Sequence, residues 1–246
     1  MRATRIAAAA LALGLAGSLA ACAASPETSY VDVSGETVTV NWRDYPATSW
    51  IGAEEVLAAP SAEETPERSD RLLADLRKAL DAEFPISEWS ACCFGEGPAE
   101  WFPMGSNEYG GDSMLRTYNS LNWSGEAEIP REQWDRVVAV AAEVAAGYGL
   151  DVRRYDDDLS PGLELWLHEE GLSSGNDTEW LSVAVQDARL DPSGQALKDA
   201  EEYDQLVAGV TLFYGITTIS DEDRAEFERR AAPFAGLQRP PASHPS

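Results

Sequence analysis

The residues with chemical scope are the thiols, a glycine-flanked serine, the histidines and the clustered acids. Cys92 and Cys93 are adjacent in Trp89-Ser-Ala-Cys-Cys-Phe-Gly95. Two neighbouring thiols with no companion Cys or His nearby do not make a tetrahedral metal site. In an oxidising compartment they leave a strained vicinal disulfide, buried free thiols or pairing to another chain. Gly171-Leu-Ser173-Ser-Gly175 fits the nucleophile-elbow pattern, which needs a strand before it, a helix after it and a histidine later in the chain. The residues that follow alternate like a strand, and the later histidine, His244, lies in a Pro- and Ser-rich tail. Asp156-Asp-Asp-Leu-Ser-Pro-Gly162 offers carboxylates to calcium. Counted from Asp156, however, the EF-hand positions for Gly and Glu hold Pro161 and Leu167. His168-Glu169-Glu170 lacks the spacing of a zinc protease. The chain has 43 acidic residues, so accidental carboxylate pairs are plentiful and give no weight to glycosidase chemistry. The expectation is no catalytic set, no metal and no cofactor.

Cys22 is different, because its context agrees with its chemistry. Met1-Arg2-Ala3-Thr4-Arg5 is positive, Ile6 to Leu15 is uncharged and helix-forming, and small residues lead to Leu19-Ala20-Ala21-Cys22. This is the layout of a secretory signal peptide. The uncharged run Ile6–Ala21 has 16 residues, short of the roughly 20 that span a bilayer. Leu, two small residues and Cys resemble the lipobox of bacterial lipoproteins. That resemblance implies a diacylglyceryl group on the Cys22 thiol, cleavage before Cys22 and acylation of the new N-terminus. Two or three acyl chains hold a protein at a membrane where one binds only marginally.

The formal net charge is −25, and losing Arg2 and Arg5 with the leader makes the remainder more acidic. Such a chain is repelled by nucleic acid and by anionic headgroups. Its partners are therefore expected to be the lipid bilayer through acylated Cys22, and an envelope protein or a small ligand, with no nucleic acid.

Hydropathy patterning divides the chain into a signal peptide (1–21), a lipidated tether (22–29), one α+β domain (30–236) and a disordered tail (237–246). Residues 30–33 and 37–42 alternate around Ser34-Gly35-Glu36 as a hairpin, and 43–64 read as irregular. Thr65-Pro66 opens a helix to about residue 83 with Leu72, Leu73, Leu76 and Leu80 at helical spacing. Residues 94–113 form a glycine-rich loop and 114–123 a strand. A second helix runs from Pro130 to about Tyr148, its apolar face carrying Trp134, Val137, Val138 and Ala141. Three strands follow, at 150–155, 163–168 and 179–186, with a polar loop at 169–177. The alternation puts Leu181, Val183 and Val185 under the second helix. It puts Trp166, His168 and Trp180 on the other side, a candidate binding face unless a further layer covers it. A helix at 193–207, a buried β-branched strand at 209–219 and a capped helix from Ser220 to about Ala232 complete the pattern. The fold class is α+β: an antiparallel sheet with helices packed mainly on one face.

Phe84-Pro-Ile-Ser-Glu-Trp89, then Trp123-Ser-Gly-Glu-Ala-Glu-Ile-Pro-Arg-Glu-Gln-Trp134, Gly147-Tyr-Gly149 and the turn at Pro161-Gly162 together resemble the LppA-like lipoproteins of mycobacteria and related actinobacteria. The resemblance covers roughly half of the chain. It implies a membrane-attached lipoprotein on the extracytoplasmic face of the cell membrane, with no catalytic residues to carry over. The function expected is that of a binding or accessory protein of the cell envelope, more a binder than an enzyme. The alternative is an envelope hydrolase acting on glycan or peptide.

Overall fold

A computed structural model describes residues 24–91, 100–153, 165–174 and 178–243. The sheet is organised on its longest strand, Ala208–Thr218 (β10), an uncharged segment buried over most of its length. Glu179–Asp187 (β9) pairs antiparallel along one side, from Ala208↔Asp187 to Ile216↔Glu179. Along the other side two shorter strands lie end to end. Trp123–Glu126 (β6) pairs with residues 209–212 and Arg116–Asn119 (β5) with residues 215–218. The sequence suggests one strand here, but the chain breaks at Ser120. That residue repairs the ladder itself: its N–H donates to Tyr214 O and its Oγ accepts from Tyr214 N, both at 2.9 Å. A buried backbone donor therefore keeps a partner where pairing fails. Trp89–Ala91 (β3) extends the sheet beyond β6, Glu100–Pro103 (β4) beyond β5, and Leu167–Ser174 (β8) then Leu150–Arg153 (β7) beyond β9. Every pairing is antiparallel.

Two helices cover one face. Thr65–Glu83 (α2) starts at a reciprocal pair just upstream, where Ser61 N donates to Glu64 Oε2 and Glu64 N to Ser61 Oγ. It stops two residues before Pro85, which disfavours helical backbone at Phe84. Trp134–Ala146 (α3) follows a 3-10 turn at Arg131–Gln133. Leu72, Leu76 and Leu80 of α2 meet Val137 and Ala141 of α3. Both helices sit on Leu181, Val183, Val185, Val210, Leu212 and Tyr214, all nearly or fully buried. The expected docking of the second helix on the Leu-Val face is observed. Apolar burial here is worth about 25 cal/mol per Å².

A second core closes the open end of β10, and here the sequence reading needs correction. The hairpin of Glu27–Val31 (β1) and Thr37–Asn41 (β2) begins three residues earlier than expected. Residues 43–64 are not irregular padding. They include the helix Ala53–Ala58 (α1) and supply Trp42's neighbours Tyr45, Ala47, Ile51 and Val56, all buried. With Tyr109, Ile219 and the C-terminal helix Arg224–Ala231, they form a separate aromatic cluster. Trp42 lies 5.0 Å from Phe234 and 5.5 Å from Tyr109, ring centre to ring centre. The described part of the 94–113 loop is built in rather than loose. Asn107 is fully buried; its Nδ2 donates to the carbonyls of Trp42, Arg43 and Tyr45, and its Oδ1 accepts from Tyr109 N and Gly111 N. Gly111 is required there, since a Cβ would lie 1.9 Å from Arg43 O. The described residues of the expected disordered tail, 237–243, are tied to the core: Tyr109 Oη donates to Pro240 O and Ser243 N to Glu108 O.

Candidate functional site

A cleft of about 400 Å³ opens where α2 passes the start of β9, lined by Ala58, Pro60, Glu64, Arg68, Tyr148, Thr178 and Glu179. Arg68 and Glu179 form its floor. Arg68 reaches from the first turns of α2, Glu179 is the first residue of β9, and Tyr214 comes from the centre of β10. Arg68 Nε donates to Glu179 Oε1 at 2.5 Å, and Nη2 donates to Glu179 Oε2 at 3.1 Å and to Tyr148 O at 2.5 Å. Tyr214 Oη donates to Glu179 Oε1 at 2.6 Å. The Glu179 side chain is 5% exposed and that of Arg68 21%.

Burial raises the cost of ionising the Tyr214 phenol, and the adjacent Glu179 charge adds to it, so its pKa lies far above that of an ordinary tyrosine. For Arg68 burial acts against the charge. The hydrogen bond and charge of Glu179 outweigh it, and the pKa is raised. The guanidinium is thus fixed as a cation, and the phenol stays neutral. Neither exchanges a proton near neutrality. Arg68 Nε and Nη2 are spent on the network, while Nη1 carries none of these bonds. Glu64 stands one turn before Arg68 on the same wall. The arrangement suits holding a small polar group by hydrogen bonds, with Arg68 as donor and Glu64 as acceptor.

The residues singled out from sequence fare differently. The strand expected at 163–168 is instead β8, Leu167–Ser174, which takes up most of the expected polar loop. That shift separates His168 from Trp180. His168 pairs with Val185 and so shares the helix-covered face, where its Nε2 is 3.6 Å from Asp135 Oδ1 of α3. Trp180 pairs with Ser173 and Gly215 and lies on the opposite face. Trp166 precedes β8, its carbonyl accepting from Asp187 N. The three do not form one face. The G-x-S-x-G segment continues as strand through Ser174, so it makes no elbow. Cys22, Cys92, Cys93, the Asp156–Gly162 turn and His244 lie outside the described residues, as does the signal segment. Among the described residues no cluster of His, Cys, Asp and Glu could hold a metal.

Sequence reasoning missed Arg68, Glu179 and Tyr214. Each reads as ordinary in isolation: an Arg on a helix, a Glu at a strand start, a Tyr in an apolar strand. Glu179, opening an alternating strand that carries no further charge until Asp187, was the one available signal.

Fold and cleft define an α+β domain with an open antiparallel sheet, helices on one face and a polar cleft at the sheet end. Residues 51–164 match the LppA family, described as a lipoprotein confined to pathogenic Mycobacterium. The chain is LppA-like over that stretch, which runs from α1 through α3 and ends before β8. Arg68 lies inside the match; Glu179 and Tyr214 lie beyond it. No curated protein and no solved structure matches the chain.

Proposed function

We propose that this is a lipid-anchored protein of the extracytoplasmic membrane face, processed before Cys22 and acylated there, whose domain binds a ligand or partner in an accessory role in the cell envelope. The observation that carries the reading is Leu19-Ala20-Ala21-Cys22 at the end of an uncharged stretch behind two arginines. The likeness to a lipoprotein family supports it. Among the described residues regular structure starts at Glu27, and Trp42 N–H holds Pro26 O at 2.9 Å. The span from Cys22 to Glu27 reaches at most about 18 Å, which keeps the aromatic second core close to the bilayer. Among the described residues no helix is long and apolar enough to cross a membrane, in keeping with attachment by acyl chains. The cleft at Arg68 and Glu179 supports binding rather than proton transfer.

Intact-mass and native mass spectrometry of the protein, extracted gently from its own envelope, tests both parts. The expected species begins at Cys22, carries diacylglyceryl mass and co-purifies with a ligand or partner. An unprocessed chain, or a mature chain without lipid and without any bound species, contradicts the proposal.

A further inference from the structure

We infer that the surface formed by residues 49–55 with Glu108 and Tyr109 is a docking seat for an arginine-proline segment of a partner protein, and that the chain's own Arg239-Pro240 occupies it as a displaceable strap. This rests on the accessory reading only for there being a partner, and the seat shares no lining residue with the Arg68 cleft. The strap is clasped at three points. Tyr109 Oη donates to Pro240 O at 2.8 Å. Ser243 N donates to Glu108 O at 3.1 Å. Arg239 Nη1 donates to Ser49 O at 3.4 Å, and its Nη2 lies 3.7 Å from Glu55 Oε2. The strap is also placed to lift. Gln238, Pro241 and Ala242 are exposed, Arg239 and Pro240 are half-buried, and residues 238–243 belong to no helix or strand. Gly236, at φ +73°, joins them to the domain. A segment of this kind opens at a small part of the cost of global unfolding.

The seat itself states what it takes. The acids whose charge reaches the buried phenols Tyr45 and Tyr109 are Glu54, Glu55 and Glu108, and the cation that answers them is Arg239. With the strap lifted those carboxylates repel an anionic segment and draw in a basic one. Proline beside the arginine fits the Tyr109 hydroxyl. It offers a carbonyl without an N–H that would need its own partner, and its restricted backbone loses less entropy on docking. Glu108 stands at φ +65°, a costly conformation for a residue with a side chain and one that clusters at ligand clamps. Trp50, next to Ser49, is 46% exposed beside the strap, and tryptophan is the residue type that most often anchors a protein partner.

Fluorescence anisotropy of a labelled peptide with the sequence of residues 238–243, titrated with the full-length protein in detergent micelles, tests this. The tethered strap competes at an effective concentration on the order of millimolar, so the native protein should bind the peptide weakly. Arg239→Ala in the protein loosens the strap and should raise peptide affinity by roughly tenfold or more. Tyr109→Phe added to that variant should lower it again by about fivefold. A peptide with Glu in place of its arginine should not bind. In the native protein, with no substitution, the Ser243 amide should exchange with solvent far faster than the amides of β10. The inference is overturned by any of four results: no binding to the Arg239→Ala protein, equal binding to it and to the native protein, binding indifferent to the peptide's arginine, or a Ser243 amide as protected as those of β10. The peptide is added to purified protein, so neither processing at Cys22 nor a co-purified species enters the result, and failure here is distinguishable from failure of the anchored-binder reading.

Discussion

Arg68 spends its Nε and Nη2 donors on Glu179 and Tyr148, and Glu179 in turn accepts from Tyr214. Removing one member of such a set leaves a buried charge without its counter-charge, which costs more than the pair contributes. Arg68→Ala should therefore lower unfolding stability by about 3 kcal/mol in urea denaturation. Tyr214→Phe, which removes only a hydroxyl, should cost about 1–2 kcal/mol. Asn107→Ala strips five hydrogen bonds from a fully buried position and should cost more than either. The buried phenols set an alkaline limit. Burial pushes Tyr109 up to about 12 and Tyr214 higher still, from an ordinary value of 10.0. A folded-state pKa above the unfolded one gives stability that is complete below the unfolded value and lost as pH rises through the folded one. Stability should be insensitive to these phenols below pH 10.0 and fall above it, and Tyr214→Phe should lessen that fall. Denaturation midpoints across the alkaline range, with phenolate absorbance, check this.

At the scale of elements, the helices α2 and α3 and the strands β9 and β10 were legible because each buries one face or both. Leu72, Leu76 and Leu80 recur at the helical period, and Leu181, Val183 and Val185 at the strand period. The second core was not legible. Its residues Trp42, Tyr45, Ile51 and Tyr109 have no common period, since turns and one buried amide rather than a repeating face hold them together. β8 was misplaced for a related reason. Glu169, Glu170, Ser173 and Ser174 are polar, yet the strand is fixed by backbone pairing to β7 and β9. Apolar patterning carries no trace of such pairing. Leu76→Ala, between α2 and the sheet, should cost about 2–5 kcal/mol. A thermal shift matching that of a surface change such as Leu190→Ala would contradict the layering.

For the whole molecule, β10 links the two cores: its residues 210–216 pack under α2 and α3, and Ile219, just past its C-terminal end, enters the aromatic cluster. The N-terminal hairpin and residues 237–243 both attach to that second cluster: Tyr30 Oη donates to Pro233 O, and Tyr109 Oη to Pro240 O. The end of the domain that carries the N-terminal hairpin is thus pinned from both sides, by residues 27–41 and 237–243. In the proposed reading the acyl chains carry the attachment, because the charge of an acidic domain opposes anionic headgroups. Metabolic labelling with a palmitate analogue, followed by membrane fractionation of the native protein and of Cys22→Ala, addresses that claim directly. The native protein should carry label and sediment with membranes, and Cys22→Ala should lose the label and its membrane association together. A Cys22→Ala protein that remains in the mature, membrane-bound fraction would contradict the account.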